Sequence, residues 1–170
     1  MAKRERARAL LTKRRVRVLL LICVLVTAGL IFFFSAQDGA TSTETSDGFV
    51  RMLVKLFIPK YDEMTWSQRR KLWNDIGYYV RKGAHFTEYA ALGFFLRLLA
   101  RSLNLRRAGL IAWACGALYA VTDEFHQTFT AARSGMWQDV VLDSAGVLFG
   151  CLAALAVIPL ILRRRRRKMK

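Results

Sequence analysis

The stretch Tyr119-Ala-Val-Thr-Asp-Glu-Phe-His-Gln-Thr-Phe129 decides the fold, because an apolar segment continues directly into ionisable side chains. The apolar run before it, residues 108–121, has 14 residues. As a helix it spans about 21 Å, which is short of the ~30 Å hydrocarbon core of a membrane. A helix that crosses must therefore include the polar stretch. This places Asp123, Glu124 and His126 in the outer part of a membrane span.

Further apolar runs of spanning length predict an all-α fold class. The first run has a basic start, which is also typical of a secretory signal peptide. However, Phe32-Phe33-Phe34 occupies the position where a small-residue cleavage site would follow, so we expect an uncleaved helix. The sequence thus predicts a polytopic membrane protein, a four-transmembrane-helix bundle. Its membrane domain is 18–162, with spans at about 18–34, 83–100, 108–128 and 142–162.

The fourth predicted span carries Gly146 and Gly150, a small-residue pair one helical turn apart. Such a pair allows two helix backbones to approach closely. We expect this approach between two helices of the same chain. The alternative is an interface between two copies of the chain, in which case the protein is an oligomer.

The charge distribution predicts the orientation. Residues 1–17 hold eight Lys/Arg and one Glu, and residues 163–170 hold seven Lys/Arg and no acid, so these tails carry +14 of the net charge of +16. The short loop with Arg101, Arg106 and Arg107 is also basic. Lys and Arg are enriched in cytoplasmic segments, so we expect both basic tails to be cytoplasmic. The basic clusters flank apolar runs and no nucleic-acid-reading motif is present, so the expected partners are anionic lipid headgroups, not nucleic acid.

The long connection 35–82 is predicted to lie in the first extracytoplasmic loop. Phe49, Leu53 and Leu56 recur at helical spacing with basic residues opposite, which predicts a short interfacial amphipathic helix that stops at Pro59. Thr65 and Gln68 are spaced as a capping box for a second helix. That helix carries aromatic residues suited to the headgroup layer: Trp66, Trp73, Tyr78 and Tyr79.

Helical spacing brings polar residues of three spans to the outer level, and these form the candidate ligand-binding cluster. Its members are Arg81, Lys82, His85, Glu88, Asp123, Glu124, His126, Gln127, Arg133, Asp139 and Asp143. Ionisable residues at membrane depth are costly and are candidates for function by default. In the purely structural alternative, buried charges pair and fix the helix register.

The same residue types could support other chemistries. His85, Glu88, Glu124 and His126 together form a two-His, two-carboxylate set, but their spacing matches no metal signature such as HExxH. We therefore expect no metal ion and no cofactor. A proton- or ion-coupled transporter is disfavoured, because the acids gather at one side of the membrane and the chain has no internal repeat.

At these residues the chain resembles the VanZ-like family of small bacterial membrane proteins. The matching segments are Phe34-Ser-Ala-Gln37, Arg81-Lys-Gly-Ala-His-Phe-Thr-Glu-Tyr-Ala-Ala-Leu-Gly93 and Asp123-Glu-Phe-His-Gln-Thr-Phe129, followed by Arg133, Asp139, Asp143 and Gly146. The chain departs from the family in having Ala131-Ala132 where Pro-Gly is common before the Arg. It also has an acid, Asp143, where Asn is common.

The resemblance implies a multi-pass protein of the bacterial cytoplasmic membrane. The founding member is associated with resistance to the glycopeptide teicoplanin, so the resemblance also implies a role in the cell envelope. Together with the cluster, it favours a non-enzymatic protein that binds a lipid-linked wall precursor or lipid headgroup at the outer leaflet. The alternative is an intramembrane hydrolase or transferase acting on an envelope lipid, metal-assisted or by acid–base chemistry. In that alternative His85 or His126 is the base or metal ligand, and Glu124 is the acid/base.

Overall fold

The computed structural model describes residues 2–37, 39–130 and 135–167, with side chains over 13–37, 47–130 and 135–157. These residues form five α-helices and a 3₁₀ turn, with no strand in the ranges described. The helices are α1 (Ala2–Ser35), α2 (Gly39–Phe57), α3 (Trp66–Ser102), α4 (Ala108–Gln127) and α5 (Trp137–Arg167), and the turn is Tyr61–Glu63. The predicted all-α fold is confirmed.

Two of the described helices are long and apolar enough to cross a membrane, over Lys13–Ser35 in α1 and Trp137–Val157 in α5. The sequence predicts four such helices. The other two predicted spans lie on α3 and α4, whose ionisable side chains lower their mean hydropathy below that of a uniformly apolar segment. By composition, therefore, two spans are supported and not four.

The directions of the helices follow from contacts between their ends. Arg17 Nε near the start of the apolar part of α1 donates a hydrogen bond to Ser102 O at the end of α3, at 3.1 Å, so these helices are antiparallel. Lys82, near the middle of α3, pairs with Asp139 near the start of α5. Further along both helices Cys151 Sγ lies 3.4 Å from Gly93 O, so α3 and α5 run parallel.

Glycines bring α3 and α5 into close contact. A Cβ atom built on Gly150 would overlap the carbonyl oxygen of Ala90, and one built on Gly146 would lie 2.6 Å from Phe86 O. Neither position has space for a larger side chain. The GxxxG pair therefore packs within the bundle, which confirms the preferred interpretation of Gly146 and Gly150.

The core between these helices consists of the following buried residues: Ile31, Tyr89, Leu92, Ala112, Ala120, Val147 and Cys151. They come from α1, α3, α4 and α5, so four helices share one core. Small residues on α4 and α5 let the larger Tyr89 and Ile31 fill the space between them.

The connection before the second predicted span differs from expectation. The capping box is confirmed, since the Thr65 side chain accepts from the Gln68 backbone and the Gln68 side chain accepts from the Thr65 backbone. From there α3 runs 37 residues without interruption, so the predicted aromatic helix and the predicted span 83–100 are one helix. No proline lies between them to break it.

The predicted amphipathic helix is α2, which is 19 residues long and ends at Phe57, before Pro59.

Candidate functional site

Asp123 is the centre of a buried hydrogen-bond network between α3 and α4. Tyr89 Oη on α3 donates to Asp123 Oδ2 at 3.1 Å, and Gln127 Nε2, one turn further along α4, donates to the same oxygen at 3.4 Å. Tyr89 is fully buried and Asp123 is 4% exposed. The other carboxyl oxygen, Asp123 Oδ1, has no hydrogen-bond partner among the described residues.

Glu124, the neighbour of Asp123, contacts the start of α5. The backbone N–H of Met136 donates a hydrogen bond to its carboxyl group, while Oε2 is buried and has no partner within the described part of the chain. Gly135 lies against the Glu124 backbone so closely that a Cβ there would be 2.8 Å from Glu124 O. The segment that leads into α5 therefore covers Glu124.

Two aspartates of α5 complete the acidic side of the site. Asp139 forms an ion pair with Lys82 of α3, and both side chains are half-buried. Asp143, one turn further, is 2% exposed, and its Oδ1 has no partner in the ranges that the structure describes. Its carboxyl group is within electrostatic range of those of Asp123, Glu124 and Asp139. Four carboxyl groups from α4 and α5 thus face a common region beside Lys82 and Tyr89.

The remaining α3 candidates lie at the edge of this region. Glu88 is half-buried and within electrostatic range of Asp123. Arg81 and His85 are also half-buried, on the turns of α3 that precede Glu88. Arg133 lies outside the described residues.

His126 does not join the acidic side chains. Its ring packs on Phe32 of α1, with ring centroids 4.8 Å apart, so it faces away from the α3–α5 contact. Among the described residues, no three His, Cys, Asp or Glu side chains are arranged as a metal site. The set of His85, Glu88, Glu124 and His126 considered from the sequence is therefore not assembled.

Tyr89 is a member of the site that was not among the residues predicted from the sequence. Apolar helices commonly contain tyrosine as a core residue, so its type alone carries no signal. Its spacing does carry one, because Tyr89 is one turn from His85 on the same face of α3. Its hydroxyl group supplies a hydrogen-bond donor to a buried carboxyl group, which a phenylalanine could not.

The arrangement can hold a positively charged group. Buried carboxyl oxygens without partners accept hydrogen bonds, and carboxylates bind ammonium and guanidinium groups most strongly. The Lys82–Asp139 pair is the ion pair found among the described side chains. Asp123, Glu124 and Asp143 have no basic group within ion-pair distance there, although Lys82 is within electrostatic range of Glu124 and Asp143.

The family of the chain follows from its sequence. No curated protein and no solved structure matches it. The sequence profile described as VanZ/LLP1 matches residues 18–161, which cover α2, α3 and α4, most of α5, the apolar half of α1 and every candidate site residue. That match extends over most of the chain, so the protein belongs to the VanZ/LLP1 family.

Proposed function

We propose that this VanZ/LLP1 protein spans the bacterial cytoplasmic membrane four times and binds an amine-bearing lipid headgroup or lipid-linked wall precursor at the outer leaflet. The observation that carries the proposal is the enclosure of three carboxyl groups with no basic group within ion-pair distance among the described residues. They belong to Asp123, Glu124 and Asp143. An ammonium group has three N–H donors and would engage these oxygens.

Helix lengths and charge support the four-span topology. α4 has 20 residues and is about 30 Å long, which matches the hydrocarbon core. Its acids are covered by α3 and α5 and do not face lipid, as membrane-buried acids require. The basic segment at Lys13–Arg17 lies at the same end of the bundle as Arg101, Arg106 and Arg107, because Arg17 contacts Ser102. In a membrane this end is cytoplasmic, and the acidic site is at the outer side.

The cost of burying acids supports a cationic ligand. An isolated carboxylate in a low-dielectric interior is strongly destabilising, and a basic partner offsets that cost. Lys82 is already engaged by Asp139. An incoming ammonium group would therefore interact with Asp123, Glu124 and Asp143, while Arg81 at the outer edge would contact the phosphate of the same headgroup.

The first prediction tests this assignment. Glu124→Gln keeps the shape of the side chain but removes its charge, so we expect roughly tenfold weaker binding of an amine-bearing lipid, from the loss of a charge-assisted hydrogen bond. Binding is measured on the purified full chain with dihexanoylphosphatidylethanolamine and with a labelled amine-bearing wall precursor. The matched control is Glu63→Gln, an exposed acid on the 3₁₀ turn.

Dihexanoylphosphatidylglycerol has the phosphate but no amine, so it should bind more weakly than the ethanolamine lipid. Glu124→Gln should weaken binding of the ethanolamine lipid more than that of the glycerol lipid. An equal effect on both lipids, or no effect on either, would refute an amine site. If the site acts in glycopeptide resistance, Glu124→Gln should also lose any protection that the wild-type chain gives cells against teicoplanin.

A further inference from the structure

A second site of different chemistry lies on the N-terminal part of α3. An open cleft of about 360 Å³ is formed there, a volume within the range of small-molecule sites. It is lined by aromatic, guanidinium and amide side chains and by no acid: Tyr61, Trp66, Arg69, Arg70, Trp73 and Asn74. We propose that this cleft binds a phosphate group.

Two of the lining residues form the cationic wall of the cleft. The guanidinium of Arg70 lies over the Trp66 ring, 5.2 Å from its centroid, and that of Arg69 lies over the Tyr61 ring at 5.1 Å. Neither arginine has a carboxylate within ion-pair distance among the described residues. Guanidinium groups bind phosphate through parallel N–H donors, so two of them beside one cleft give it the charge and geometry for this anion.

The two arginines have different roles. Arg69 Nε donates to Met64 O at 3.0 Å, and its Nη2 donates to Asp62 O, so Arg69 holds the 3₁₀ turn against α3. Arg70 is exposed and has no hydrogen-bond acceptor among the described residues, so its N–H donors are available to a ligand. Asn74, one turn further along α3, adds an amide donor to the same cleft.

The opposite wall is fixed to α2. Trp73 Nε1 donates a hydrogen bond to Asp47 Oδ1 of α2 at 3.0 Å. Val50 and Val54 of α2 are buried, and a Cβ on Gly77 of α3 would lie 4.0 Å from Val50 Cγ2. The cleft is therefore formed between the 3₁₀ turn and α3, and α2 packs against the same part of α3.

The position of the cleft brings lipid phosphates within reach. Asn74 precedes Lys82 by eight residues, which is about 12 Å along the helix. On the proposed topology, the cleft then lies above the acidic site, at the outer edge of the headgroup layer. The same chemistry would also accept a soluble phosphate, and the test separates the two sources.

The experiment uses the intrinsic tryptophan fluorescence of the full chain in nonionic detergent, since Trp66 and Trp73 line the cleft. The titrants are inorganic phosphate and dihexanoylphosphatidylglycerol at constant ionic strength. We expect a saturable change that is reduced in Trp66→Phe. Arg70→Gln should weaken binding about tenfold, through loss of a charge-assisted hydrogen bond.

Lys71→Gln is the matched control, because Lys71 is the exposed neighbour of Arg70 and does not line the cleft. It should change the affinity less than twofold. Binding of the lipid but not of inorganic phosphate would identify a headgroup; comparable binding of both would identify the phosphate itself. Either result supports the cleft as a phosphate site. No saturable change with either titrant would overturn the proposal, as would equal weakening by Lys71→Gln in variants that melt like the wild type.

Discussion

At the scale of single residues, the acids of the site differ in the hydrogen-bond and ion-pair partners that the fold gives them. Asp123 receives hydrogen bonds from Tyr89 and Gln127, and Asp139 is paired with Lys82. Asp143 is more deeply buried than either, and its Oδ1, like Asp123 Oδ1, has no partner among the described residues. A buried polar atom without a partner costs about 1–3 kcal/mol, so the Asp143 carboxyl group lowers the stability of the fold.

This contrast predicts opposite effects of two similar substitutions. Asp143→Asn should raise the free energy of unfolding by about 1 kcal/mol, because an amide removes the cost of burying a further carboxyl group beside those of Asp123, Glu124 and Asp139. Asp139→Asn should lower it by about 0.5–1 kcal/mol, because it breaks the pair with Lys82, which is half-buried. Chemical unfolding in detergent measures both. Destabilisation by Asp143→Asn would mean that the carboxyl group has a partner that stabilises it.

At the scale of helices, the α3–α5 contact depends on glycines that leave no space for a Cβ. Gly93 lies against the backbone carbonyl of Val147, and Gly150 lies against that of Ala90. This close approach holds Lys82 next to Asp139 and brings Asp143 towards Tyr89 and Asp123. The glycines therefore position the site although they contribute no side chain to it.

A glycine substitution tests this contact. Gly150→Ala should destabilise the fold by about 1–3 kcal/mol, since the added methyl group forces the helices apart. Gly29→Ala in α1 is the control, because a Cβ there meets nothing within 4 Å. The control should be neutral or stabilise by about 0.5–1 kcal/mol, since alanine is the better helix former. Similar unfolding midpoints for both variants would contradict the packing argument.

At the scale of the whole molecule, exposed aromatic residues gather at one end of the bundle. They lie at the end of α4, the start of α5 and the N-terminal half of α3: Phe129, Trp137, Trp66 and Tyr79. The opposite end carries the basic side chains of the α3–α4 loop and of the start of α1. Aromatic residues favour the headgroup layer and basic residues favour the cytoplasmic side, so the bundle has the polarity of a membrane protein.

Cysteine labelling in whole cells tests the proposed orientation. In a chain without its native cysteines, Ser67→Cys at the start of α3 should react with a membrane-impermeant maleimide added outside. Arg106→Cys in the α3–α4 loop should react only after permeabilisation. Both positions are exposed, so accessibility within the protein does not differ. Labelling of Arg106→Cys in intact cells would reverse the topology.

The sequence by itself determined the features that depend on local pattern. Hydrophobic run lengths predicted the helices, and the shortness of the run 108–121 predicted that α4 continues through Asp123 and Glu124, as it does. The spacing of Thr65 and Gln68 predicted the helix start. These features follow from hydrogen bonds and propensities within a few residues, so they can be derived without knowing which helices are neighbours.

Tertiary structure decided which way the polar side chains point. Helical spacing placed His126 at the level of Asp123, yet His126 packs on Phe32 of α1 while Asp123 meets Tyr89 of α3. The rotation of α4 about its axis determines which neighbouring helix each of these side chains meets. That rotation depends on where the small residues of α4 and α5 allow close approach, which is a property of the packed bundle and not of any one segment.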